Sequence, residues 1–252
     1  VEWPTGRLDL FHSPDFVLPP VRRARTVLTI HDLSYLRLPD CSSPALLSYL
    51  LDAVPRSVAR ADLILADSQS TEQDLIELMS VPADRIRVIY PAVDATFSRA
   101  DTVQVAAVRA RYRIDGPYIL SLGTLQPRKN YVRLIQAFHQ LREGNRVPHR
   151  LVIGGGPGWL YEPIYETIAS LGLQQVVQML GYVDEQDLAA LFTGADLFAF
   201  PSLYEGFGFP VLEAMACGTP VVAANTSSLP EAAGEAALLV SPTDTEALAE
   251  AL

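Results

Sequence analysis

The stretch from Pro201 to Cys217, PSLYEGFGFPVLEAMAC, decides how the rest of the chain is read. It carries two carboxylates, Glu205 and Glu213, with Gly206-Phe207-Gly208-Phe209 and then Pro210 between them. Proline suits the first helical position, where its missing amide would be unpaired anyway, and Gly218 is a natural residue just past a helix end. The segment therefore reads as a strand over Leu197–Phe200, a glycine loop, and a short helix from Pro210 to about Cys217. Glu205 falls in the loop and Glu213 near the helix start, so both acids face one crevice. Loop amides ahead of a helix N-terminus suit a phosphate, and glycine lets it approach. Carboxylates touching that phosphate would repel it, so hydroxyl groups are their better partners. An anion site flanked by hydroxyl-binding acids fits a sugar nucleotide. The competing reading is structural, because acids near a helix N-terminus also simply complement its dipole.

Composition narrows the classes. The chain has 252 residues, 49% of them hydrophobic, enough for one large or two ordinary domains. No stretch approaches the roughly 18 to 20 apolar residues of a membrane span. No signal peptide is evident, and Val1-Glu2-Trp3-Pro4 reads as the interior of a longer chain. Cys41 and Cys217 fall in different expected domains, which argues against a disulfide scaffold and fits a reducing cytosol. The four histidines and two cysteines show no metal-ligand spacing, so no metal is expected. A net charge of −10 disfavours nucleic acid as a partner. The charge is uneven: residues 1–115 hold 13 basic and 15 acidic side chains, and the remainder 6 and 14. Arg22, Arg23 and Arg25 offer the first half a peripheral contact with an anionic membrane face, although three arginines fall short of a polybasic run and a solvated loop competes. Lys129 is the single lysine.

Apolar bursts alternate with amphipathic stretches, the βαβ pattern of parallel sheets. In the first half, strands are expected at Leu8–Phe11, Thr26–Ile30, Asp62–Ala66 and Arg85–Ile89. A helix is expected over Ala45–Arg60, and another to Met79 that starts with a capping box from Ser70 to Gln73. Residues 94–116 read as an interdomain connection. Six further strands follow, at Tyr118–Leu122, Arg150–Ile153, Val176–Leu180, Asp196–Phe200, Pro220–Ala223 and Ala237–Val240. Helices fall at about Tyr131–Glu143, Leu160–Leu171, Glu185–Thr193 and Pro210–Cys217, and a last one is capped by Thr243 through Glu246. The expectation is an α/β protein of two Rossmann-like, doubly wound parallel-sheet domains. Residues 1–93 form the later half of the first, and 117–252 form the second with its last helix cut short.

EGFGFPVLE, with the strand before it and the Gly-Thr-Pro-Val-Val strand after it, resembles the Glu-x7-Glu signature of retaining, GT-B-fold family 4 glycosyltransferases. GTLQPRKN, residues 123–130, resembles that family's Gly-Arg-Leu…Lys stretch, with Lys129 on the lysine position. Thr124 stands where many members have arginine, so Arg128 is left to supply that charge from another direction. The resemblance covers roughly the middle two-thirds of such an enzyme, without the opening strands or the final helices. It implies two domains facing a cleft, with the donor nucleotide held by the second.

Several groups fall at strand carboxyl ends, where open α/β sheets bind ligands. Lys129 and Arg128 can bind a diphosphate, one as a point charge and one as a fork. Gly123, Thr124 and Gly154 line the same edge, where the triple glycine 154–156 permits close backbone approach or makes a plain turn. Asp184 reads as a helix cap. By resemblance, Val183 touches the nucleobase, Glu205 holds hexose hydroxyls, and Glu213 holds the ribose diol. The amides of Phe207, Gly208 and Phe209, with Gly206 and Leu212, lie against sugar and diphosphate. His31, in TIHD, looks like the family's histidine beside the transferred sugar, and His12, in LFHSPD, falls on the acceptor side. A structural histidine is the competing reading for both.

The implied activity is transfer of a hexose, with mannose from GDP-mannose favoured, to an acceptor hydroxyl with retention and without a metal or resident cofactor. The acceptor is a glycan or a lipid-linked molecule, and the setting is polysaccharide or glycoconjugate synthesis in the cytoplasm or at the inner membrane face. Alternatives are a nucleotide-sugar-binding fragment without turnover, or another GT-B enzyme such as a sugar-nucleotide epimerase. A phosphorylase is disfavoured, because it needs a lysine for pyridoxal phosphate and Lys129 already lies at the diphosphate position.

Overall fold

The computed structural model describes residues 6–143 and 147–252. The opening Val1-Glu2-Trp3-Pro4 lies outside them. The chain divides into two units: the first runs to Pro91 and takes in Glu205–Phe207, and the second holds Ala92–Tyr204 and Gly208–Leu252.

The first unit is built on a four-stranded parallel sheet of β1 (Leu10–Ser13), β2 (Arg25–Ile30), β3 (Leu63–Ala66) and β4 (Ile86–Val88), paired in that order. Helices α1 (Ser34–Arg37), α2 (Pro44–Arg60) and α3 (Gln69–Met79) connect them. Leu28, Ile30, Ile64, Val54, Val58 and Leu75 form its core. β1 begins and ends two residues later than expected, and proline rather than histidine ends it. The ladder runs through His12 and Ser13 until Pro14, which has no amide to donate. β4 is shorter than expected, since Ala83–Arg85 turn as a 3-10 segment before it. The expected capping box of α3 is also displaced. Ser68, extended directly after β3, caps the helix by accepting from the Thr71 amide at 3.1 Å, and Ser70 lies inside the first turn. Gln73 instead donates to Glu77 at 2.7 Å.

The second unit begins with α4 (Thr102–Tyr112), opened by a reciprocal capping box of Asp101 and Gln104. A parallel sheet follows: β5 (Tyr118–Leu122), β6 (Arg150–Gly154), β7 (Val177–Gly181), β8 (Leu197–Phe200), β9 (Val221–Ala224) and β10 (Leu238–Val240). Its strand order is β10-β9-β8-β5-β6-β7, the doubly wound order in which winding reverses between β5 and β8. The intervening helices are α5 (Tyr131–Glu143), α6 (Glu162–Ser170), α7 (Glu185–Gly194), α8 (Phe209–Ala216), α9 (Leu229–Ala233) and α10 (Thr245–Ala251). Both faces are covered, so β5 is buried at every residue and is apolar but for Ser121, whose hydroxyl donates to the Ala199 carbonyl at 2.7 Å. Two expected caps are corrected. Asp244, not Thr243, caps α10 by accepting from the Ala247 amide at 3.0 Å. Asp184 occupies the cap position of α7, but its side chain makes no capping bond.

Candidate functional site

The switch between β5 and β8 is where an open doubly wound sheet leaves a crevice, and the single lysine sits beside it. Pro127–Lys129 form a 3-10 turn that Asn130 closes with a positive φ of 61°. The turn folds Lys129 back over Gly123 at the end of β5: a methyl group on Gly123 would stand 3.2 Å from Lys129 Cε. The ammonium lies 4.7 Å from the ring centroid of Phe200, the last residue of β8. The side chain thus puts its charge at the carboxyl ends of both switch-point strands. A cation over a ring is held by about 0.5–1 kcal/mol where solvent reaches it, which fixes the lysine without neutralising it.

Arg128, expected as an anion-binding fork, has one guanidinium nitrogen engaged with the backbone. Its Nη1 donates to the Tyr204 carbonyl at 2.6 Å, and its own carbonyl accepts from Leu203 at 2.8 Å. It splints the loop after β8. Asn130, which the sequence reading missed, does a similar job, donating to the carbonyls of Pro201 at 3.0 Å and Pro242 at 2.8 Å. An asparagine after a basic pair carries no signal of such distant partners. Thr124 is exposed at the same edge.

The triple glycine serves internal packing at its first two positions. A methyl on Gly154 would lie 2.5 Å from Leu122 Cδ2 and 2.9 Å from Val183 Cγ2, and one on Gly155 would overlap the Gly123 carbonyl. Val183 is accordingly buried against Gly154, and only Gly156 faces open space.

α8 starts at Phe209, one residue before the expected Pro210, with Gly208 as its cap at φ 108°. Its far end is a Schellman turn, in which Gly218 donates to Met215 at 2.9 Å and Thr219 to Ala214 at 3.0 Å. Phe209 is exposed, and Leu212 and Glu213 are half-buried. Burial, and then the negative charge of Glu185 at the start of α7, push the Glu213 carboxyl up to about 7. Near neutrality it is divided between an acceptor and an acid that also donates, which suits a diol.

The remaining expected residues belong to the first unit. Glu205 and Phe207 are buried, and Gly206 is pressed so closely on His31 that a methyl group would overlap the His31 carbonyl oxygen. Both ring nitrogens of His31 are engaged: Nδ1 with Asp67 at 2.7 Å and Nε2 with the Pro14 carbonyl at 2.9 Å. The Asp67 bond is the main reason its pKa is raised. With a carboxylate on one side and a carbonyl on the other, both nitrogens are best satisfied as donors, so the geometry favours the imidazolium. His12 lies within β1, exposed, 2.8 Å from the Thr29 hydroxyl. Of the three arginines read as a membrane contact, Arg25 pairs with Asp62 at 2.8 Å. No helix among the described residues is long and apolar enough to cross a membrane.

Comparison with known proteins agrees with this architecture. The profile of "Glycosyl transferases group 1" matches residues 107–252, and that of "Glycosyltransferase Family 4" matches residues 2–97. The chain belongs to the group 1 glycosyl transferases. It is 35% identical over 240 residues to an Escherichia coli O-antigen chain mannosyltransferase B, covering 95% of this chain and 63% of that protein. Its fold matches Anabaena Alr3699/HepE, crystallised with UDP and glucose, at a TM-score of 0.74 and 25% identity, over 90% of this chain and 60% of that one. It also matches a Rickettsia africae glycosyltransferase at a TM-score of 0.76 and 21% identity, over 96% and 65% of the two chains. The chain therefore spans under two-thirds of the length of these relatives. Two parallel-sheet α/β domains of four and six strands are the GT-B architecture.

Proposed function

We propose that the chain acts within a retaining glycosyltransferase that moves a hexose, mannose from GDP-mannose, to an acceptor hydroxyl on a glycan or lipid-linked molecule. The reaction serves polysaccharide synthesis in the cytoplasm, uses no metal or resident cofactor, and takes the nucleotide sugar as substrate. The observation that carries the reading is Lys129, bent over Gly123 with its ammonium above Phe200 at the carboxyl ends of β5 and β8. A fixed cation there meets the diphosphate and stabilises the charge that grows as the bond to the anomeric carbon breaks. The amides around Gly208 and Phe209, at the start of α8, add to it. Glu213 binds the ribose diol, Leu212, Gly123, Thr124 and Gly154 line the nucleotide's path, and Val183 backs the base. Glu205 holds hexose hydroxyls, with Gly206 and Phe207 shaping its loop. His31 lies beside the sugar, reaching it by exchanging its bond to Pro14, and His12 lies on the acceptor side. Arg128 acts through the loop it holds.

The relatives support the donor class: one is a mannosyltransferase and another was crystallised with UDP and glucose. Calorimetric titration with GDP, UDP and ADP, followed by assay of hexose release from the matching sugar nucleotides, tests the reading. Glu213→Gln weakens nucleotide affinity, whereas Glu205→Gln lowers turnover more than binding. Binding without turnover, or equal and trivial effects of both substitutions, overturns the assignment.

A further inference from the structure

Thr71 is fully buried in the first turn of α3, yet its hydroxyl is not spent on the helix. The capping bond there uses the Thr71 amide and the Ser68 hydroxyl. The Thr71 hydroxyl accepts from Ser68 Oγ at 3.0 Å and faces the His31 carbonyl at 3.1 Å and the Gly206 carbonyl at 3.5 Å. Gly206 meets that same His31 carbonyl so closely that any side chain would overlap it. On either side of this contact, Glu205 is buried and the Phe207 ring lies 6.0 Å from that of Tyr90.

We propose that Thr71 is a positioning residue: its hydroxyl fixes the His31 carbonyl on which Gly206 docks, and so sets the place of Glu205. The functional part of this rests on the reading of Glu205 as the hexose-binding acid. Donation from Ser68 orients the Thr71 proton outward, toward two carbonyls that lie 40 and 135 residues from Thr71 in sequence. Without that proton, the His31 and Gly206 carbonyls lose the donor between them, and the loop backs away.

The test compares the whole chain with Thr71→Val, which keeps volume and the capping amide, and Thr71→Ser, which keeps the hydroxyl. Hydrogen–deuterium exchange is followed in the peptide spanning residues 203–209, with calorimetric GDP affinity and hexose transfer measured alongside. Thr71→Val is expected to speed exchange in that peptide by about ten-fold, the loss of one buried hydrogen bond. β2 and α3 stay as protected as before, Thr71→Ser restores the original rate, and Gly206→Ala reproduces the valine pattern. Transfer falls by up to about ten-fold while GDP affinity is unchanged. Unaltered exchange at 203–209, or a uniform rise across the first unit, overturns the proposal. If the unsubstituted chain transfers no hexose, the functional reading fails while the exchange pattern still decides the role of Thr71.

Discussion

Glu213 is held where its charge is disfavoured, and that can be read out as stability. Its carboxyl titrates near 7 in the folded chain against 4.5 as a free side chain, first because it is buried and then because Glu185 is close. Below pH 4.5 both states are protonated and the group contributes nothing. Between 4.5 and 7 the folded state holds a proton that the unfolded state has released, so stability falls as pH rises, and it levels off above 7. The span is 2.5 pH units. At about 1.4 kcal/mol each, this sets an upper bound of about 3 kcal/mol, reduced by whatever water reaches the half-buried group. Glu213→Gln removes the titration and keeps the shape. The assay is urea denaturation of both forms at pH 5 and pH 8. The difference in unfolding free energy, substituted minus unsubstituted, should grow by 1–3 kcal/mol, as an order of magnitude, from pH 5 to pH 8. Glu185→Gln should reproduce a minor part, because burial is the larger cause. Parallel pH profiles for the two forms would refute the reasoning, since a carboxyl already ionised at pH 5 carries no such penalty.

Asp67→Asn should bring the His31 ring back down toward its ordinary pKa, because the bond to Asp67 is the largest cause of its rise, and an NMR titration of the ring measures this. Sign follows as well: the pair stabilises fully below pH 6.5 and the benefit fades as pH climbs through the raised value, so the variant should lose stability in acid rather than at pH 9. Gly154→Ala forces a methyl onto Leu122 and Val183 and should cost about 1–3 kcal/mol in urea denaturation; an unchanged midpoint would mean that the two side chains move aside freely. Lys129→Ala should weaken GDP binding by roughly ten-fold or more while removing at most about 1 kcal/mol of stability, and unchanged calorimetric affinity would exclude the lysine from the diphosphate.

The sheets were legible because burial on both faces writes itself as apolar runs. Tyr118–Leu122, apolar but for Ser121, is one such stretch, and its strand starts and stops where the residues say. Caps were less legible, because adjacent side chains compete for one amide. Ser68 and Ser70 differ in which of them first leaves the extended backbone, and Thr243 and Asp244 differ likewise. That choice is made by the strand or turn before the helix, not by the residue type. The long-range partners were not legible at all. Arg128 meets the Tyr204 carbonyl and Asn130 meets Pro242 through backbone oxygens, which every residue possesses, so no pairing of side-chain types announces them. Lys129 stood out as a candidate because a basic pair at a helix start opposes the dipole, and the structure places its ammonium over the Phe200 ring.

The glycines carry the argument one step further. A glycine beside a presumed anion site suggests room left for the ligand, yet Gly154, Gly206 and Gly208 are each denied a side chain by the protein itself: by Leu122 and Val183, by the His31 carbonyl, and by Leu229. The space is already filled before any nucleotide arrives. Such contacts hold the loops at the strand ends in place, and groups held in place lose little freedom when a ligand binds. At Glu213 the free chain carries a cost that is electrostatic rather than steric: a carboxyl pushed toward its acid form by burial and by Glu185. In the proposed site, a diol that hydrogen-bonds that carboxyl relieves this cost. On that proposal, the residue that destabilises the free chain near neutral pH is the one from which nucleotide binding draws its gain, and unchanged affinity in Glu213→Gln would exclude it.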